Sequence, residues 1–231
     1  MFDHQEELDE YLEKIEELIK NKQYARLRDL FLPMEPADIA LLLEEAGGEQ
    51  MPLLYRLLPK ELAAEVFVEL ESDSQEMLIN GFSNTELKEV LDELYLDDTV
   101  DVIEDMPANV VSRILRNSDP ASRSQINQLL NYPKDSAGSI MTTEYVFLHP
   151  DATVEESFAR IRKEGMDKET IYTCYVTQNR VLLGVVTVRS LLLAKDELLV
   201  RDLMEPDVIS VPTTADQEEA VRLLGRYNFL S

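Results

Sequence analysis

Apolar residues recur along the first half of the chain at the three-and-four spacing of one helix face. Leu8, Tyr11, Leu12, Ile15, Leu18 and Ile19 line up this way, with Glu and Lys on the opposite side. Beyond Pro33 a longer regularity overlies the first. Ile39, Leu62, Leu87 and Val110 hold equivalent places in PADIALLL, PKELAAEVF, NTELKEVL and PANVVSRIL, at separations of 23, 25 and 23 residues. A second helical stretch trails each one, around Leu54, Leu78, Val102 and Ile126. Short helix pairs cannot bury their apolar faces singly, so the pattern predicts neighbours stacked into a superhelix. Pro36, Pro59 and Pro107 fall at the predicted helix starts, where a missing N–H costs little. Stacks of this kind serve as interaction surfaces or as spacers with no site of their own, and the pattern alone leaves both readings open.

The second half follows another rule. Residues 141–162 return without gaps at 204–225, an offset of 63 that places Met141 on Met204, Tyr145-Val146 on Val208-Ile209 and Glu155-Glu156 on Glu218-Glu219. Apolar Phe158 and Ile161 fall on Val221 and Leu224. A period this long marks a duplicated small module rather than a solenoid. Each copy predicts a short apolar strand, a turn, and an amphipathic helix opened by a capping residue, Thr153 or Asp216. In the first copy two strand-like runs follow, Tyr172 to Thr177 and Val181 to Val188, whereas the sequence stops at Ser231, where the second copy's equivalents would begin.

Charge narrows the partners. With 46 acidic against 22 basic residues and a formal net charge of −24, the surface repels nucleic acid and anionic lipid and attracts divalent cations, so no nucleic-acid partner is expected. Hydrophobic residues make up 45% of the chain, enough to build cores. Apolar runs such as Ile39 to Leu43 and Leu191 to Ala194 fall far short of the ~18 residues a membrane-spanning helix needs. The first residues lack the basic head and apolar core of a secretory or transit segment, and the sequence as given reads as soluble. Cys174 stands alone, which excludes an internal disulfide, and His4 and His149 have no cysteine or histidine company that would suggest zinc.

The carboxylates are the candidate chemistry. LYLDDTVDVIEDM sets Asp97, Asp98 and Asp101 at the start of a helix, with Asp97 and Asp101 on one side. Such a face binds a hard divalent cation through oxygen, but one helix supplies too few ligands, and a second surface must complete the site. Aspartates in a first helical turn are equally explained by capping and the macrodipole, worth roughly 0.3–1 kcal/mol each. Glu65 in KELAAEVFVEL, and Asp216 with Glu218-Glu219, carry the same two readings. GxxxxGK[ST], GxSxG and HExxH are all absent, and no enzymatic activity is expected.

YPKDSAGSIMTTEYVFLHPDATVEESFARIR, Tyr132 to Arg162, resembles the hinge and first cystathionine-β-synthase (CBS) module of the MgtE-type magnesium transporters, and the string from Asp135 to Tyr145 is its most specific part. The likeness extends back over LLPKELAAEVF and ELYLDDTVD and forward to TTADQEEAVRLLGRYNF. It implies an α+β chain: an all-α amino-terminal superhelix of short helix pairs over 1–131, a hinge and first CBS domain over 132–200, and the start of an incomplete second CBS domain over 201–231. The family's cytosolic region lies at the cytoplasmic face of the cell membrane, forms a homodimer through its CBS domains, and is joined to a transmembrane pore domain absent from this sequence.

Carried over by motif, the regulatory Mg2+ ligands fall on Glu65, Asp97, Asp98, Asp101, the backbone carbonyl of Ser139, Asp216, the backbone of Gly225, and Asn228. Asn228 stands where the family has aspartate, and Ser139 replaces a glycine. CBS pairs of the family also hold adenine nucleotide. The carboxylate that would grip the ribose after Thr187 and Arg189 is here Ser190, so nucleotide binding is expected to be weak or absent. The resemblance thus implies a magnesium sensor in which Mg2+ bridges acidic surfaces of the helical and CBS domains, stabilises the closed state and limits uptake. The rivals are an adenine-nucleotide sensor and a helical-repeat interaction scaffold. Oxygen donors alone do not separate Mg2+ from Mn2+ or Ca2+.

Overall fold

A computed structural model describes residues 5–229, so His4 lies outside the described residues. The chain divides into two compact units, one formed by Met1–Leu94 with Asp98–Gln125, the other by Tyr95–Asp97 with Ile126–Ser231.

The first unit is built from helices. They are α1 (Gln5–Lys20), α2 (Tyr24–Phe31), α3 (Pro36–Ala46), α4 (Met51–Tyr55), α5 (Lys60–Glu69), α6 (Ser72–Gly81), α7 (Asn84–Glu93), α8 (Leu96–Glu104), α9 (Ala108–Asn117) and α10 (Pro120–Leu129), the ends of α8 and α10 belonging to the second unit. The 23-to-25-residue repeat is the stack itself: α3 packs on α5, α5 on α7 and α7 on α9. Ile39, Leu87 and Val110 are buried at these contacts and Leu62 is half-buried, while Leu54, Leu78, Val102 and Ile126 are buried on the intervening helices. Pro36 occupies the first turn of α3, but Pro59 and Pro107 sit one step earlier, as the N-cap residues of α5 and α9. Both are extended, at φ −59° and −60°, a geometry the pyrrolidine ring already favours.

Polar groups finish the helix ends. Ser83 and Glu86 form a reciprocal capping box on α7, each accepting the other's backbone N–H. The Arg113 guanidinium reaches back from α9 to the carbonyls of Ile79 and Phe82, satisfying acceptors that the end of α6 leaves unpaired. Tyr55 is buried, and its hydroxyl donates to the Ala63 carbonyl at 2.9 Å.

The second unit holds a three-stranded sheet in the order β1-β2-β3, from β1 (Tyr145–Leu148), β2 (Thr170–Gln178) and β3 (Val181–Thr187). β1 runs parallel to β2, and the crossover between them carries α11 (Val154–Glu164). β2 and β3 form an antiparallel hairpin whose two turn residues, Asn179 and Arg180, are both left-handed at φ 51° and 66°, the twist that a tight hairpin turn demands. Alternate residues point inward: Val146, Leu148, Cys174, Val176 and Val186 meet Val154 and Ile161 of α11, with Leu191 from α12 (Val188–Leu193) and Val200.

The duplication is visible in the elements. α13 spans Gln217–Tyr227, so both its ends lie 63 residues beyond those of α11. Both predicted caps form: Thr153 accepts from the Glu156 amide in a capping box, and Asp216 accepts from the Glu218 amide at 2.8 Å. The second copy's strand does not form. Val208–Val211, the counterpart of β1, is irregular, because a strand needs a hydrogen-bonded neighbour and no described residue supplies one there. α13 correspondingly has no buried residue, and Val221 and Leu224 on its apolar side are exposed.

Candidate metal site

α8 forms because Leu96, Val100, Val102 and Ile103 supply a buried stripe and the carboxylates favour its amino end. Asp97 and Asp98 stand half-buried in its first turn, and Asp101 lies exposed on the polar side. Enough protein still surrounds the Asp101 carboxyl that desolvation raises its pKa above the ordinary value, and repulsion from Glu104 and then Asp105 adds to this. Asp105 is engaged elsewhere, accepting from the Ser72 hydroxyl at 3.1 Å.

The start of α8 receives a carboxylate from far along the chain. Glu144 Oε2 accepts the Leu96 amide at 2.8 Å, across 48 residues, and both residues belong to the second unit. Burial pushes the Glu144 carboxyl up, opposed by the Leu96 bond and by the charge of Lys168 and reinforced by Glu169. Glu144 lies in the string from Asp135 to Tyr145, but a remote carboxylate capping a helix leaves no local spacing to detect. Glu65 lies on the exposed side of α5, opposite Ala63, Ala64, Val66 and Phe67 in the core.

Two other candidates are brought together by the backbone. The hinge segment pairs with the entry to α13: the Ala137 amide donates to the Ala215 carbonyl at 2.7 Å, Gly138 to Thr213 at 2.8 Å and Gln217 to Asp135 at 2.9 Å, with Ser136 bridged antiparallel to Asp216. Ser139 follows directly, buried, its hydroxyl donating to the Ser136 carbonyl at 2.9 Å. Asp135 adopts φ 61° to make the bend. Asp216 and Ser139 thus lie at neighbouring positions of one strapped loop, with Oδ1 of the Asp216 carboxylate capping α13.

Gly225 lies inside α13, and Asn228 ends it at φ 53° and ψ 43°, left-handed, its amide donating to the Leu224 carbonyl. Asparagine tolerates that conformation better than most residues. A cleft of about 340 Å3 beside α13 is lined by Ile140, Gln217, Glu218, Val221 and Arg222. Ser190, where the family resemblance would place a ribose-binding carboxylate, is drawn into the start of α12: its amide donates to Thr187 Oγ1 at 3.1 Å, and the two hydroxyls lie 2.9 Å apart.

Among the described residues no group of three or more His, Cys, Asp or Glu side chains is close enough to hold a metal ion. The donors are nonetheless of the right kind: carboxylate, carboxamide and backbone oxygens suit a hard, water-retaining cation. Also among the described residues, no helix is long and apolar enough to cross a membrane.

Comparison with known proteins agrees with this architecture. The MgtE intracellular N domain matches residues 34–135, and the CBS domain matches 137–197 and 200–231. The magnesium transporter MgtE of Thermus thermophilus is 34% identical over 220 residues, covering 93% of this chain and 49% of the relative. That of Bacillus subtilis is 28% identical, covering 96% and 50%. The chain therefore spans about half the length of the curated relatives it matches. Among solved structures, the cytosolic domain of the Mg2+ channel MgtE in complex with ATP superposes with a TM-score of 0.87 at 35% identity, covering 93% of this chain and 88% of that one. The soluble part of a magnesium transporter gives 0.85 at 27% identity, covering 96% and 88%. On these matches the chain belongs to the MgtE family and carries the α+β architecture of its cytosolic domain.

Proposed function

We propose that this chain is the magnesium-sensing regulatory region of a magnesium transporter, attached to a transmembrane pore domain at the cytoplasmic face of the membrane and paired with a second copy through its CBS domains. Mg2+ is its regulatory ligand. The observation that carries the reading is the acidic excess, 46 carboxylate residues against 22 basic ones, in a chain so similar to the cytosolic part of a Mg2+ channel.

Like charges on facing surfaces repel, and cations held between them turn repulsion into bridging. Glu65, Asp97, Asp98 and Asp101 supply charge from the helices. The Ser139 carbonyl, Asp216, the Gly225 backbone and Asn228 supply oxygens from the CBS side. With no three carboxylates gathered at one point among the described residues, the bridging ions keep much of their water, and each binds weakly. Shifting a two-state population from 1:99 to 99:1 takes about 5.5 kcal/mol, which several weak ions supply jointly. The closed state then accumulates when magnesium is plentiful and limits further uptake.

Limited proteolysis with millimolar magnesium against chelator tests this. Cleavage slows with the metal in the native chain and slows less in Asp97→Ala with Asp101→Ala. Identical digestion rates with metal and with chelator contradict the proposal.

A second reading has one observation behind it: the solved relative at 35% identity holds ATP. An adenine nucleotide bound to the CBS region would add a second input. Ser190 in place of a carboxylate makes that input weak here.

A further inference from the structure

We infer that Glu144 is a positioning residue for the cation-binding face of α8, fixing the amino end of that helix, and with it Asp97, through its hydrogen bond to the Leu96 amide. The inference rests on the magnesium-sensing reading and extends it to a residue that is not itself a ligand.

The backbone of Glu144 is held at both of its polar groups. Its amide donates to Thr142 Oγ1 at 3.1 Å and its carbonyl accepts from Glu169 at 3.1 Å, just ahead of the Tyr145–Thr170 register of β1 with β2. The next residue is fixed as well, since the Tyr145 ring meets Tyr175 of β2 edge-on at 4.8 Å between centroids. The carboxylate is therefore carried on a residue anchored at the entry to β1 rather than on a free loop. Its partner is the first helical amide of α8, one of the donors that a helix leaves unsatisfied at its start. A charge-assisted bond to such a donor is short and directional, and this one measures 2.8 Å. Ser, Thr, Asp and Asn are the usual N-caps, but the residue before Leu96 is Tyr95, whose side chain cannot serve that role. Glu144 supplies an acceptor for the Leu96 amide from 48 residues away. Asp97 is the next residue along, so the direction in which it presents its carboxylate depends on where this bond holds the helix start.

Two substitutions separate position from charge. Glu144→Gln keeps the reach and an acceptor oxygen but removes the charge, and Glu144→Asp keeps the charge but is one methylene short. Both are read by amide hydrogen exchange at Leu96 and Asp97 in the 231-residue chain, and by the magnesium concentration giving half-maximal protease protection. Glu144→Asp is expected to speed exchange at these amides and to raise the magnesium midpoint by about threefold to tenfold, the range set by losing one hydrogen bond of ordinary net strength. Glu144→Gln is expected to shift the midpoint less than Glu144→Asp does, since the bond is kept and only its charge assistance is lost. A native chain that responds to magnesium while Glu144→Asp responds at the same midpoint overturns the inference alone. Impairment by Gln with Asp unaffected overturns it too, assigning Glu144 a charge role. A native chain indifferent to magnesium sinks the sensing reading instead, and exchange at Leu96 still reports whether the bond holds the helix.

Discussion

The Gly138 amide donates to the Thr213 carbonyl at 2.8 Å, and that same oxygen would lie 2.8 Å from a β-carbon added to residue 138. The Tyr132 ring closes the other side, with Cδ1 at 2.5 Å from the added carbon. The strap that brings Ser139 beside Asp216 therefore depends on glycine at this position for space. Glycine's conformational freedom is not what is needed, since Gly138 is not among the residues at positive φ.

Gly138→Ala forces backbone to move as well as a ring, so it should cost about 1–3 kcal/mol, the usual penalty of overpacking. Urea denaturation of the two proteins measures it. Adding Tyr132→Ala should recover only part of the loss, because the Thr213 carbonyl stays in place. Full recovery would show that the ring alone sets the limit.

The Arg56–Glu86 contact predicts a pH effect in the helical unit. The Arg56 guanidinium, 2.8 Å away, comes first among the causes, followed by the hydrogen bonds with Ser83, and together they hold the Glu86 carboxyl down at about 2 against an ordinary 4.5. A depressed carboxyl contributes stability that is fully present above its unfolded value and is lost as pH falls through the folded one. The stability difference between native protein and Glu86→Gln should therefore shrink as pH drops from 4.5 towards 2. Both side chains are substantially exposed, so the difference is small and falls with added salt. A difference that stays constant over this window contradicts the assignment.

Periodicity made much of this architecture legible. Ile39, Leu87 and Val110 mark the stacked helices because burial on a helix face leaves a three-and-four signature. The 63-residue offset carries the limits of α11 over to α13, and a capping side chain opens each helix, Thr153 in a capping box and Asp216 on the Glu218 amide. Val208–Val211 reads as a strand from its apolar residues yet is none, since pairing depends on neighbours rather than on the segment itself. The strap from Asp135 to Gly138 was invisible for a related reason: its bonds run between backbone groups, which every residue carries. Spacing already singles out the acidic candidates, whereas Ser139, Gly225 and Asn228 rest on family likeness alone, and the structure adds how Ser139 and Asp216 come together. Glu144 escaped because a long-range cap has no sequence period.

Ser190→Asp places a carboxylate where the family resemblance puts the ribose-binding one. Titration calorimetry with ATP should then show about tenfold tighter binding than the native chain, the scale of one hydrogen bond to a charged group. Equal affinity would mean that Ser190 is not the residue limiting nucleotide binding.

The central claim, that magnesium draws acidic surfaces together, is tested most directly by small-angle X-ray scattering of the chain with increasing magnesium at constant ionic strength. The radius of gyration should fall at millimolar metal, and fall less in Asp97→Ala with Asp101→Ala. A radius in the native chain that does not change across the titration would contradict the account.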